Sequence, residues 1–388
     1  MLNNSSQSYN HFDLFEWTIY LPEFTKDQVE NEVYAQSVLI HEYIHYCQQL
    51  SSTFGRIFLK NIITSLLRAS IFIRYGPNVP SQIDNLNIRD LITNASPYIL
   101  INSDIKKDHE DLMEEYEIIT AGEPFPVTSH DPELFVYDKV FSKSRNTSHV
   151  YPHILAEFLG SKYYVPLSER VIYENMARQI QRNYLQFNNQ RQENLIYRPD
   201  TEIIDSLRNN TGEVIYVCVH DEIKKILPDT EDISAWTIAI CQISLLCRLP
   251  GDALKHLFDM LRSLNPKKME VFLQSCTTDV FFNDNYNVPN MQEYLNDIML
   301  EHSKYLVPQE RILIHDFIKR VVAISNAVNS NKLYFYNAQM NQKDFFAFMN
   351  SFGCPPIICS DGELKSIFGY DIQNPLREYF VKIYKLLS

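Results

Sequence analysis

Two histidines and a glutamate stand in the pattern His41-Glu42-Tyr43-Ile44-His45. On a helix, residues four apart share one face, one turn apart, so both imidazoles can reach a single ion. Two imidazoles at this spacing suit Zn²⁺. Glu42 follows the first histidine directly, so its side chain leaves the helix beside such an ion rather than pointing at it. That is where a general base must sit to take a proton from metal-activated water. The flanks are apolar, with Val38-Leu39-Ile40 before and Tyr46-Cys47 after. Two imidazoles and a carboxylate are costly to bury in such a helix without partners, and a cation would satisfy all three. The competing reading is a pair of hydrogen-bonded core histidines, which requires the spacing, the central Glu and the helix all to coincide.

The elements around this pattern can be read from local chemistry. Thr25 is a candidate N-cap, and the stretch from about 28 to 50 contains no Gly or Pro, so a long helix is expected there. Before it, residues 12–21 carry Phe15, Trp17, Thr18, Ile19 and Tyr20 and stop at Pro22, as a strand would. A second helix is expected over about 56–74. Residues 78–148 are polar and broken by Pro, Asn and Asp, which fits an insertion beside the core, with a charged helix at 108–116 and a loop at 121–131. A further helix is expected over 167–184, where Ile172, Met176 and Ile180 recur at spacings of four. The polar run 186–200 is the candidate linker. Beyond it, 232–249, 252–264, 291–305 and 309–328 read as helices, and 355–367 as a hairpin turning at Asp361-Gly362.

The expected fold class is therefore α+β and mainly α-helical. A catalytic core with a small sheet would occupy residues 1–190, and a helical region 201–388. The chain has 388 residues, enough for a sizeable core. Its net charge of −13 and lack of basic blocks argue against nucleic acid as the main partner. The longest uncharged stretch, 233–247, is too short to span a bilayer, so no membrane partner is expected. Seven cysteines, an odd count with no C-x-x-C pair, argue for free thiols in a reducing, cytoplasmic compartment.

The segment 38–50 resembles the active-site helix of zincin metallopeptidases. Within that group, metzincins continue with Gly and His where this chain has Gln48 and Ser51. The Gly-Thr-x-Asp signature of aspzincins is also missing. What is left is the gluzincin-like pattern, in which a Glu from a later helix completes the metal site. Glu174, in Ser168-Glu-Arg-Val-Ile-Tyr-Glu-Asn-Met-Ala177, is similar to that residue, with the small Ala177 three positions on. Glu169, Glu157, His149 and His153 compete for the same role. In thermolysin-like members an Asp four residues after this Glu orients a metal-binding His. Arg178 stands there in this chain, so another residue must hold the histidine. The resemblance covers these two helices and the strand before the first, under half of the chain.

The resemblance implies a zincin-like core with Zn²⁺ held by His41, His45 and Glu174, and Glu42 as general base. It implies a protein or peptide substrate whose amide bond is hydrolysed. Tyr163, Tyr164, His149 and His153 are candidates for stabilising the oxyanion. The strand at 12–21 could lie at a sheet edge and pair with an extended substrate. Two other classes stay open: a catalytically inactive zincin-like scaffold that binds a protein, and a zinc hydrolase of a non-peptide amide or ester. Oligomeric state is not readable from the sequence.

Overall fold

The computed structural model describes residues 10–13, 18–53, 55, 125–126, 152–158, 161–189, 214–230, 232–247, 250–263, 271–273, 334–337, 345, 347–349, 352–367 and 370–371, with scattered positions between 307 and 327. Those residues are mostly helical, with small sheets. Two compact units are each assembled from separated stretches of chain. The helices expected at 56–74, 108–116 and 291–305 lie outside the described residues.

The first unit contains a sheet in the order β1 (His11–Asp13), β2 (Thr18–Leu21), β6 (Ile357–Cys359), β7 (Gly362–Leu364). The single strand expected at 12–21 is instead two short strands, antiparallel, with Phe12 opposite Ile19. Strand β2 is also paired in parallel with β6, Ile19 opposite Ile357. Both edges of β2 are therefore occupied, and within the expected strand it is β1, with Phe12 and Asp13, that lies at the edge of the sheet. The hairpin at 355–367 forms where Asp361-Gly362 marked it. Gly362 has φ 115°, a left-handed conformation that side-chain-bearing residues rarely adopt.

The long helix expected at 28–50 is broken into α1 (Lys26–Asn31) and α2 (Val33–Ser51). Thr25 caps α1 as expected, with a capping box in which Thr25 Oγ1 accepts from Gln28 N–H and the Gln28 side chain accepts from Thr25 N–H. The break falls at Glu32, which is extended, with φ −109° and ψ 121°. The Gln36 side chain compensates by donating to the Glu30 carbonyl at 2.9 Å. Helix α2 is buried almost all round, from Val33 to Ser51, as a core helix is. Two aromatic hydroxyls fasten it. Tyr43 Oη donates to the Gly353 carbonyl at 2.8 Å and Tyr46 Oη to the Phe352 carbonyl at 3.3 Å. Both acceptors lie just before β6, so the sheet and α2 are tied through side chains that satisfy buried carbonyls.

The second unit contains a sheet ordered β3 (Phe125–Pro126), β5 (Ser161–Pro166), β4 (His153–Phe158), all antiparallel. Phe125–Pro126 is thus a strand inside the stretch expected to be loop. The pairing that makes it one is tertiary, with Phe125 opposite Tyr164. Helix α3 (Glu169–Asn189) packs on α4 (Val214–Ile226) and α5 (Ile233–Leu245). It runs past the expected end at 184 into the polar run read as a linker, because Tyr184, Leu185 and Asn188 are buried there. The rest of that run lies outside the described residues. Helix α4 was not legible in the sequence, whereas α5 and α6 (Pro250–Ser263) match the expected helices closely. Asp232 caps α5, accepting from Ala235 N–H at 2.9 Å. Gly251, at the start of α6, is pressed against the Leu167 carbonyl, where any Cβ would collide. The short helix α7 (Tyr334–Asn337) also packs on α5. In the first unit, β8 (Ser366–Ile367) pairs with β9 (Tyr370–Asp371).

No helix among the described residues is long and apolar enough to cross a membrane.

Candidate metal centre

Helix α2 presents His41 and His45 one turn apart, as the spacing requires. Their Nε2 atoms face each other at 3.1 Å, and the rings meet edge to face with centroids 4.7 Å apart. His41 is buried and His45 half-buried. Glu42, beside His41, is only 6% exposed. The helix offers these groups in one band because its other residues are apolar or already bonded elsewhere. Tyr43 Oη–H donates to the Gly353 carbonyl, and burial pushes its phenol well above the ordinary range. Burial likewise raises the Cys47 thiol. Neither places a charge near the imidazoles.

Ligand atoms of His41, His45 and Glu174 all lie within 4.8 Å of one another. Among the described residues this is the one group of three or more such side chains that could hold a metal ion. Glu174 sits on α3, half-buried. Of the competitors, Glu169 is buried in the first turn of the same helix, where the positive end of the helix dipole favours a carboxylate. Glu157 is exposed on β4. His153, also on β4, stacks edge to face on Tyr164 at 5.4 Å. His149 lies outside the described residues. Tyr163 and Tyr164 are half-buried on β5, opposite Ala156 and Leu155.

The donor set fits a first-row divalent cation. A tetrahedral ion at ordinary nitrogen distances holds two imidazole nitrogens about 3.3 Å apart, close to the separation seen. Two neutral nitrogens and one carboxylate oxygen give borderline ligands and a single negative charge, the combination that zinc sites use. A second feature was missed by the sequence reading. Gln48 Oε1 lies 2.8 Å from His45 Nδ1, and Gln48 is fully buried. The signal was available, since residues three apart on a helix touch. In the sequence, Gln48 stands out only as a departure from the metzincin pattern.

No family model matches the chain, and neither a curated protein nor a solved structure matches it. The resemblance to zincins therefore rests on the motif and on the grouping of these three side chains.

Proposed function

We propose that the protein is a zinc-dependent hydrolase, and that peptide bonds are its substrate. The observation that carries this is the grouping of His41, His45 and Glu174, with Glu42 directly after the first histidine on α2. His41, His45 and Glu174 would hold the ion. When bound, it lowers the pKa of a water and polarises a carbonyl. The residues of the chain do the rest. Glu42, buried beside His41, accepts the proton as the water attacks and returns it to the leaving nitrogen. Its burial shields the proton from bulk water. An amide is favoured as substrate because its poor leaving group needs this proton return.

Metal analysis and a peptide-library digest of the purified chain test this reading. About one zinc per chain is expected, with cleavage of library peptides. Glu42→Gln should keep the metal and lose cleavage by roughly a hundredfold to ten-thousandfold. Cleavage undiminished in Glu42→Gln overturns the assigned base. Metal without cleavage of any peptide, but with turnover of esters or small amides, moves the substrate class. A wild-type chain that takes up no metal overturns the proposal.

A further inference from the structure

We propose that Gln48 is the positioning residue for His45, fixing which ring nitrogen is offered to the ion; this rests on the metal reading above. The acceptor is Gln48 Oε1, 2.8 Å from His45 Nδ1. A carbonyl oxygen can only accept, so the imidazole must carry its proton on Nδ1. The lone pair is then on Nε2, the atom that faces His41 Nε2 at 3.1 Å. With that tautomer set, the 3.1 Å contact takes its hydrogen from His41 Nε2–H.

The position of Gln48 is built rather than incidental. It is fully buried, so water does not compete for its amide. Its own carbonyl accepts Ser52 N–H at 2.8 Å in the last turn of α2, which holds the backbone from which the side chain reaches. The three-residue spacing brings the amide over the ring. The position where thermolysin-like enzymes use an Asp for this purpose holds Arg178, whose Nη1 donates to Gln181 Oε1 at 2.8 Å. A cation cannot accept from an imidazole. Gln48 supplies an acceptor from within the motif's own helix, and it does so without adding charge. The donor set therefore keeps one negative charge.

The test uses the full chain, stripped of metal, titrated with Zn²⁺ against a chromophoric chelator and with Co²⁺ by visible absorption. Gln48→Leu should weaken zinc binding about tenfold to a hundredfold and alter the cobalt bands, because the ring is no longer fixed. Gln48→Glu, which keeps the acceptor, should bind at least as tightly as wild type. Wild-type affinity and cobalt bands in Gln48→Leu overturn the role of Gln48 while leaving the metal reading intact. A wild-type chain that takes up neither ion overturns both. If Gln48→Leu does not fold, long-range ¹⁵N–¹H spectra of the metal-free wild type decide. His45 protonated on Nδ1 and His41 on Nε2 is the expected pattern, and a proton on His45 Nε2 overturns the proposal.

Discussion

At the scale of single residues, the imidazoles of His41 and His45 face each other at 3.1 Å and Glu174 brings a carboxylate within 4.8 Å of both. Three ligands make a chelate in which each donor multiplies the effect of the others. Removing one imidazole or the carboxylate should therefore cost far more than a surface charge would. His41→Ala and Glu174→Ala should each lower zinc affinity by at least about a hundredfold, measured by competition with a chelator. Glu169→Gln, which alters the competing carboxylate on the same helix, should leave zinc affinity within a few-fold of wild type. Full zinc retention in Glu174→Ala would remove that residue from the ligand set. The histidines and Glu42 were legible because a helix period turns spacing into direction. Glu174 was singled out only by the resemblance of its helix to a second metal helix, against Glu157, Glu169, His149 and His153. Sequence spacing says nothing about which of Glu157, Glu169 and Glu174 comes near residues more than a hundred positions earlier.

At the scale of elements, α3 carries Glu174 and is held by the residue next to it. Asn175 is fully buried. Its side-chain amide donates to the Val171 and Ile215 carbonyls, and its Oδ1 accepts Val219 N–H at 3.0 Å. Ile215 and Val219 are four apart on α4, the pair that a regular helix would bond to each other. One amide thus reaches both partners and pins the two helices in register. Asn175→Leu should cost roughly 1–3 kcal/mol. The expected signature is a lower urea midpoint with an unchanged slope. An unchanged midpoint would show that the Asn175 amide bonds do not hold α3 to α4. Nothing in the sequence marked this contact, because Asn175 reads as an ordinary polar helix residue until α4 is placed beside it. The break at Glu32 was hidden for a similar reason. Glu32 lacks the φ and hydrogen-bond limits of Pro and the freedom of Gly, so its residue type does not mark the kink.

At the scale of the whole molecule, the described cysteines at 47, 218, 241, 247, 354 and 359 are all free and buried. Burial raises the Cys218 thiol to about 12 and drives Cys241 and Cys354 higher. Unfolded thiols ionise near pH 8.5. The folded chain keeps protons that the unfolded chain releases, so stability is fully present below about pH 8.5 and falls as pH rises toward 12. Each buried thiol adds about 1.4 kcal/mol per pH unit to that decline. Urea midpoints should therefore hold between pH 7 and 8 and drop between 9 and 10.5. A Cys218→Ala, Cys241→Ala double variant should show a shallower decline, and an equal decline would assign the loss to other groups. The free thiols were expected from the odd count and the missing C-x-x-C pair. Local chemistry alone determined the His41-Glu42-x-x-His45 helix, the Thr25 cap, the Asp361-Gly362 turn and the helices near 233–263, because each depends on neighbours within a turn or two. The two-strand start of the chain, the strand at Phe125–Pro126, the choice of Glu174 and the bond from Gln48 to His45 were decided by tertiary structure. The first three join residues far apart in the chain. The last is close in sequence, yet it depends on burial that keeps water from taking the amide's place.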